Sequence, residues 1–341
     1  MVTSLLALSL SLVAADISAD DRRSTIDSLV SAIQERYVFP DLGKKAGEAL
    51  KAKLASGGYD TLSAGPDFAK ALTEDINAIC KDAHFRVRYS EKPLPVRAQR
   101  AAPSQKEIDQ DRWFTHKANA GFEKVERLLG NVGYIRVDGF FDPEIAARPI
   151  QAAMDFVGDT DALIIDVRYN GGGDPATVRL LCSYLFDPKP VHLNDIYMRE
   201  GNRTEQFWTL SKLPGRRYVG KPVYVLTSKR TGSGAEEFSY DLKNLRRATI
   251  VGTSTWGGAN PGGVVRLNDH FGAFIPVGRA INPYTKTNWE GTGVDPDIHV
   301  ASEDALATAQ RIAVEKLLAE AKSEDDKARL ADALASLKPK S

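Results

Sequence analysis

The sequence predicts an α/β domain behind a small N-terminal helical bundle, on three observations. Apolar residues recur at a helical period as far as Lys81, and the pattern then switches to strict alternation. Two largely apolar runs, ALIIDV and VYVL, each lead through a glycine-containing turn into an amphipathic stretch. A run apolar on both faces belongs to a strand covered on both sides, as in an open parallel sheet flanked by helices.

The elements follow in order. Residues 1–15 hold an apolar stretch from Leu5 to Val13 with the small Ala15 behind it. It is too short to span a bilayer and reads as a signal peptide, hence export, although the usual positive start is missing. Residues 20–82 read as a three-helix bundle. Ile26, Leu29, Val30, Ile33 and Tyr37 form the first stripe, closed by Pro40. Ala46, Leu50 and Leu54 form the second, and Phe68, Leu72, Ile76 and Ile79 the third. Phe85, Val87 and Tyr89 then alternate with polar residues as a half-buried strand, and the polar stretch from Lys92 to Asp111 reads as a mobile connection. Residues 83–302 form the α/β domain. Its strands are expected at 134–137, 162–167 and 223–226, with shorter ones near Thr249, Val264 and Phe274. Its helices are expected at 144–157, 176–186 and 233–245, and residues 303–341 read as a helical tail.

The chain has 341 residues, with 45 Lys and Arg against 45 Asp and Glu, so charge gives no argument for nucleic acid or an acidic membrane as partner. No stretch beyond the leader is long enough for a membrane span, and no cluster of zinc-ligand spacing implies a metal; no organic cofactor is implied either. Cys80 and Cys182 stand at no motif spacing and read as two buried thiols, with a single disulfide between them as the alternative.

Two segments carry chemistry. In ALIIDVRYNGGGDP a buried strand runs into Asn170 and then Gly171, Gly172 and Gly173, whose backbone can adopt positive φ and aim N–H groups at a negative charge. A phosphate loop would need a following Gly-Lys-Ser/Thr, and Asp174 would repel phosphate. A tight strand-to-helix turn is the plainer alternative. In VYVLTSKRTGSGAEEF, Ser233 stands between glycines at the start of a helix, where the dipole and open N–H groups favour developing negative charge. Ser233 with Glu236 also fits an ordinary capping box. Ser228 and Ser239 are weaker candidates, and Glu236 and Glu237 suit the helix dipole. A serine nucleophile needs a base, and the residues alone do not choose among His84, His116, His192, His270 and His299.

Further segments carry a family resemblance: YVFPD at Tyr37, KDAHFRVRY at Lys81, GNVGYIRVDGFFDP at Gly130, IIDVRYNGGGDP at Ile164, the long LTSKRTGSGAEEF segment at Leu226, GGANPGG at Gly257 and NWEGTGVDPDI at Asn288. With these seven in order, the chain resembles the C-terminal-processing serine peptidases, in their tricorn-core and interphotoreceptor-retinoid-binding-like branch. The resemblance implies a crotonase/ClpP-like domain of strand-strand-helix units, with a peptide or protein as substrate. It implies Ser233 as nucleophile, His84 as general base and Glu290 as the acidic residue completing the set. The oxyanion hole would be the Gly234 N–H with one from the glycine loop, Gly172 first and Gly173 next. Two departures matter. The processing branch uses a lysine base, and the matching position here holds Gly258, so the base role falls to His84. The about 50 residues between Tyr89 and Val137 are too few for the PDZ domain common in that branch.

The leading expectation is therefore a serine peptidase working through an acyl-enzyme on Ser233. The main alternative is a non-catalytic module for retinoid- or lipid-like ligands on the same fold. A crotonase-like acyl-thioester enzyme shares the oxyanion loop but needs no serine. Oligomeric state is not legible in the sequence.

Overall fold

Why the N-terminal segment is helical is visible at its ends. Ser18 and Asp21 cap the first helix reciprocally, so two amides that no helical carbonyl can reach are satisfied. Pro40 opens the next helix at a position where a missing N–H has no consequence. Lys81 closes the third in the left-handed conformation, at φ 51°. The computed structural model describes residues 16–96 and 104–337; the signal-peptide expectation falls on residues 1–15, outside them.

In chain order the elements are α1 (Ala19–Arg36), α2 (Pro40–Ala55), α3 (Gly65–Cys80), β1 (Arg86–Tyr89), α4 (Gln105–Lys117), β2 (Phe122–Leu128) and β3 (Val132–Val137). Next come α5 (Pro143–Val157), β4 (Ala162–Asp166), α6 (Pro175–Ser183), β5 (His192–Met198), β6 (Arg203–Trp208), β7 (Val223–Thr227) and α7 (Gly234–Asn244). The last are β8 (Thr249–Gly252), β9 (Gly262–Arg266), β10 (Phe271–Pro276), β11 (Gly278–Ile281), β12 (Ile298–His299), α8 (Ala305–Glu320) and α9 (Glu324–Ser336).

The chain divides into two compact units. The first gathers α1, α2 and α3 with a three-stranded antiparallel sheet ordered β1-β10-β9. Its stripes are buried as the periodicity predicts: Ile26, Leu29, Ile33, Leu50, Phe68, Leu72 and Ile76 are shut off from solvent. The β9–β10 hairpin, far along the chain, belongs to this unit, where Asn268 reaches the Thr25 hydroxyl of α1 at 2.7 Å.

The second unit is built on a six-stranded sheet ordered β12-β8-β7-β4-β3-β2, parallel except for β2. The uninterrupted apolar run of β4 has the predicted cause. Leu163 and Ile165 join the core beneath α5, α6 and α7, whereas Ala162 and Ile164 join the core beneath α8 and α9. Both faces are covered, so no position on the strand can be polar until its last. A second sheet, ordered β11-β5-β6, completes the unit. Cys80 and Cys182 are both buried thiols.

The structure corrects the expectation for 92–111. From Gln105 the segment is helix α4 of the second unit, started by a Ser104–Glu107 capping box, with Thr115 buried and the Phe114 ring edge-on to that of Phe141 at 5.8 Å. His192, expected in a polar connection, lies on β5, with Asp195 at 2.7 Å and the Trp208 ring stacked on it at 4.2 Å.

Where β4 ends, a buried polar group fixes the outgoing chain. Asp166 is fully buried and takes Nε and Nη2 of Arg168 at 2.9 and 2.7 Å and the Tyr134 hydroxyl at 2.8 Å. Removing one member of such a pair leaves a buried charge uncompensated. Asp166→Ala is therefore expected to lower stability by ~3–5 kcal/mol in urea unfolding. A loss below ~1 kcal/mol would mean that Arg168 finds water or another partner there.

Candidate active site

In open parallel sheets, sites form where strands end and chains turn outward. The second unit does this at β4 and β7. After β4, buried Asn170 organises the turn: its Nδ2 donates to the Val137 carbonyl at 3.1 Å, and its Oδ1 accepts the Gly172 N–H at 2.8 Å. Gly172 and Gly173 follow at φ 109° and 141°, a region where side chains are strained. A Cβ at Gly173 would stand 1.8 Å from the Phe140 oxygen, and one at Gly172 would stand 2.7 Å from the Ser233 Cβ. Glycine is required at both.

The turn after β7 is stitched to the first. Ser228 Oγ donates to the Arg168 carbonyl at 2.5 Å, Thr231 Oγ1 donates to that of Val167 at 2.8 Å, and the Gly232 N–H donates to that of Asn170 at 3.0 Å. Ser233 follows at φ 51°, ψ −120°, a conformation that costs ~1–3 kcal/mol and persists only where its surroundings enforce it. What enforces it is Glu236. Its buried carboxylate accepts the Ser233 and Gly258 N–H groups on Oε2 at 2.8 and 2.9 Å. Its Oε1 accepts the Thr255 hydroxyl at 2.5 Å and the Gly257 N–H at 2.6 Å. Burial pushes its pKa up while these donors pull it down.

Glu236 is thus more than a charge complementing the helix dipole, as the sequence suggests; it ties the serine to the segment Thr255–Gly258. Glu237 likewise points inward. It and Asp241 are buried under α7, and desolvation raises both carboxyl pKa values.

The segment 255–260 carries the other half of the site. A Cβ on Gly258 would lie 2.7 Å from His84 Cε1 and 2.5 Å from Trp256 Cζ3, so the absence of a side chain gives the imidazole its room. The Trp256 ring meets the His84 ring edge-on at 4.7 Å. Glu290 braces the same place from below: its carboxylate accepts the Ala83 N–H at 2.8 Å and the Ala259 N–H at 2.6 Å. Asp82, fully buried, accepts the His84 N–H at 3.2 Å and the Asn260 amide at 2.8 Å. Burial first, and then the Asp82 charge, raise the Glu290 pKa to about 7.

The sequence-derived residues gather accordingly: Ser233, Gly234, Gly172 and Gly173 at the two strand ends, and His84 with Glu290 around the 255–260 segment. The Gly172 N–H is committed to Asn170 Oδ1, whereas the Gly173 N–H stands 3.1 Å from the Cβ position of Gly234. Ser228 and Ser239 are buried and donate to backbone carbonyls. Asn170, Glu236, Asp82 and Asn260 were not read from the sequence as site residues; the signals were Glu236 three residues after Ser233 and the TWGGAN run. Ligand atoms of Asp82, His84 and Glu290 lie within 4.8 Å of one another, yet both carboxylates already hold N–H donors, and the donor set is that of a braced imidazole rather than an open metal site.

Comparison with known proteins agrees with this frame. Residues 131–300 match the model of peptidase family S41, and residues 18–119 match that of the N-terminal domain of Peptidase S41 in eukaryotic IRBP. The chain belongs to peptidase family S41. It is 30% identical over 158 residues to the tricorn protease of Thermoplasma volcanium, covering 44% of this chain and 14% of that one. It is 26% identical over 184 residues to the carboxy-terminal-processing protease of Bartonella bacilliformis, covering 51% and 40%. The chain spans less than half the length of the curated relatives it matches. A putative peptidase from Parabacteroides merdae shares the fold, with TM-score 0.62, 21% identity and coverage of 89% and 99%. Among the described residues no helix is long and apolar enough to cross a membrane.

Two predictions follow from the bracing. Gly258→Ala, by displacing the imidazole, is expected to lower kcat/KM ~100-fold on a peptide substrate with the thermal midpoint nearly unchanged; undiminished activity would show that the ring is not confined there. Glu290 binds its proton at about pH 7 when folded, against an ordinary 4.5 for a glutamate in water. Between those values the native state holds more protons than the unfolded one, so this group's contribution falls as pH rises through the window. Glu290→Gln should flatten the decline of thermal midpoint between pH 4.5 and 7; an unchanged slope would contradict the raised pKa.

Proposed function

We propose that the protein is a serine peptidase that cleaves peptide bonds through an acyl-enzyme on Ser233. The observation carrying this reading is the enforced backbone of Ser233. A serine is held at φ 51° at the first turn of α7, between two glycine-lined strand ends, in a strained conformation that persists only because its surroundings enforce it, as reactive side chains often are.

In this mechanism His84 takes the hydroxyl proton as Ser233 Oγ attacks the substrate carbonyl. The tetrahedral oxyanion is held by the N–H groups of Gly234 and Gly173, at the positive end of the α7 dipole. Gly173 is preferred to Gly172 because the Gly172 amide already serves Asn170. His84 then gives its proton to the leaving amine, the acyl-enzyme forms, and water attacks it by the same proton path in reverse. Glu290 and Asp82 act by holding the backbone on either side of the imidazole. The residues 1–15 support action outside the cytoplasm, and a polypeptide is the substrate class.

Ser233→Ala should lose ~10⁴-fold or more in kcat on a cleavable peptide or unfolded protein while keeping its unfolding midpoint within a few degrees. Hydrolysis at the wild-type rate by that variant would remove Ser233 from the chemistry and return weight to ligand binding without turnover.

A further inference from the structure

The outer ends of β3, β4 and β7 carry a cationic feature that the hydrolytic steps leave unused. Tyr169, one residue before Asn170, is 43% exposed. Three guanidinium groups surround its ring, Arg136 at 4.4 Å, Arg230 at 5.2 Å and Arg168 at 5.9 Å from the centroid. Two of them are neutralised. Arg168 is clamped by Asp166, and Arg136 is held in a two-point pair with Asp138 at 2.9 and 2.6 Å. Arg230 differs: it is exposed beside Lys229 and, among the described residues, makes no ion pair.

Its place is fixed relative to Ser233. The Arg230 N–H donates to Ser228 Oγ at 3.0 Å, and the same hydroxyl donates to the Arg168 carbonyl. Two residues on, the Gly232 N–H holds the Asn170 carbonyl. The Tyr169–Arg230 pair and the two strand-end turns therefore move as one piece. Arg230 stands three residues before Ser233, and Tyr169 three before Gly172, on this joined pair of turns.

We propose that Tyr169 and Arg230 form a subsite for a substrate carboxylate close to the scissile bond, supplied by an acidic side chain or by a free C-terminus. The proposal rests on the reading of Ser233 as the nucleophile of a peptidase. A planar guanidinium presents two parallel N–H donors that match the two oxygens of a carboxylate, and the aromatic face holds that fork in position. The chain as a whole has no net charge, so a preference for acidic peptides would report this local cation rather than a general field.

The test uses one peptide frame with Glu, Gln or Lys at each position flanking the cleavage site, each made as free acid and as carboxamide. Wild type should favour Glu over Gln at one position, or acid over amide, by about 10-fold or more in kcat/KM, and added salt should shrink the ratio. Arg230→Gln should abolish the ratio, and Arg230→Glu should turn it towards Lys. The same peptides, fluorescently tagged, should show the same order of Kd on Ser233→Ala protein by anisotropy, where no turnover occurs. Hydrolysis with no charge preference, or with a preference that survives Arg230→Gln, overturns the subsite and leaves the peptidase reading intact. Charge-selective binding that needs Arg230, without hydrolysis of any peptide by wild type, overturns the peptidase reading and leaves the subsite. Neither hydrolysis nor binding overturns both.

Discussion

The site depends on one buried carboxylate. Glu236 sits in the first turn of α7, removed from water, and a carboxylate so placed is tolerated only if hydrogen bonds replace its hydration. Four donors do so: the Ser233, Gly257 and Gly258 amides and the Thr255 hydroxyl. Their geometry closes a ring between two segments far apart in sequence, since Thr255 follows Glu236 by 19 positions and Gly258 by 22. The strained Ser233 backbone is one side of that ring, and the space kept for the His84 imidazole is the other. Glu290 repeats the device, its two oxygens joining the amides of Ala83 and Ala259, so the chain before His84 is bound to the same segment. Both carboxylates hold backbone, and in the proposed mechanism Ser233 and His84 are left for substrate.

Such staples explain why the proposed catalytic groups sit on turns yet are held firmly. Strand ends supply rigid starting points, because β4 and β7 are buried on both faces. The turns that leave them are cross-linked by Ser228, Thr231 and Gly232, each bonding to a carbonyl of the Val167–Asn170 segment. Small polar residues do this with little rotamer entropy to lose.

Much of the fold was legible because strong local patterns met matching environments. The run ALIID could only be a doubly covered strand, and the stripes of α1 to α3 could only be helix faces. Where the structure departs from the reading, a bulge or a polar surface hides the signal. In β2, Phe122, Val125 and Leu128 fall three apart, and a register shift between Phe122 and Lys124 breaks the alternation. In β5 the shift between His192 and Asn194 separates Leu193 from Ile196 in the same way. Helix α4 has so little apolar face that only its Ser104–Glu107 cap announces it. At the site, the glycine loop and Ser233 stand out in the residues themselves, whereas His84 is singled out only by the family resemblance. The role of Glu236 could not, because an acid three residues past a helix start reads as a surface cap unless one knows that another loop covers it.

The central claim is that this frame activates Ser233 through His84, and covalent labelling tests it most directly. Wild type and His84→Ala would be treated with a fluorophosphonate and the adduct mapped by peptide mass spectrometry, with folding checked by circular dichroism. One adduct is expected, on Ser233, forming at least ~100-fold more slowly without His84. A folded wild type that takes no label, or label on Ser233 at a rate indifferent to His84, would contradict it.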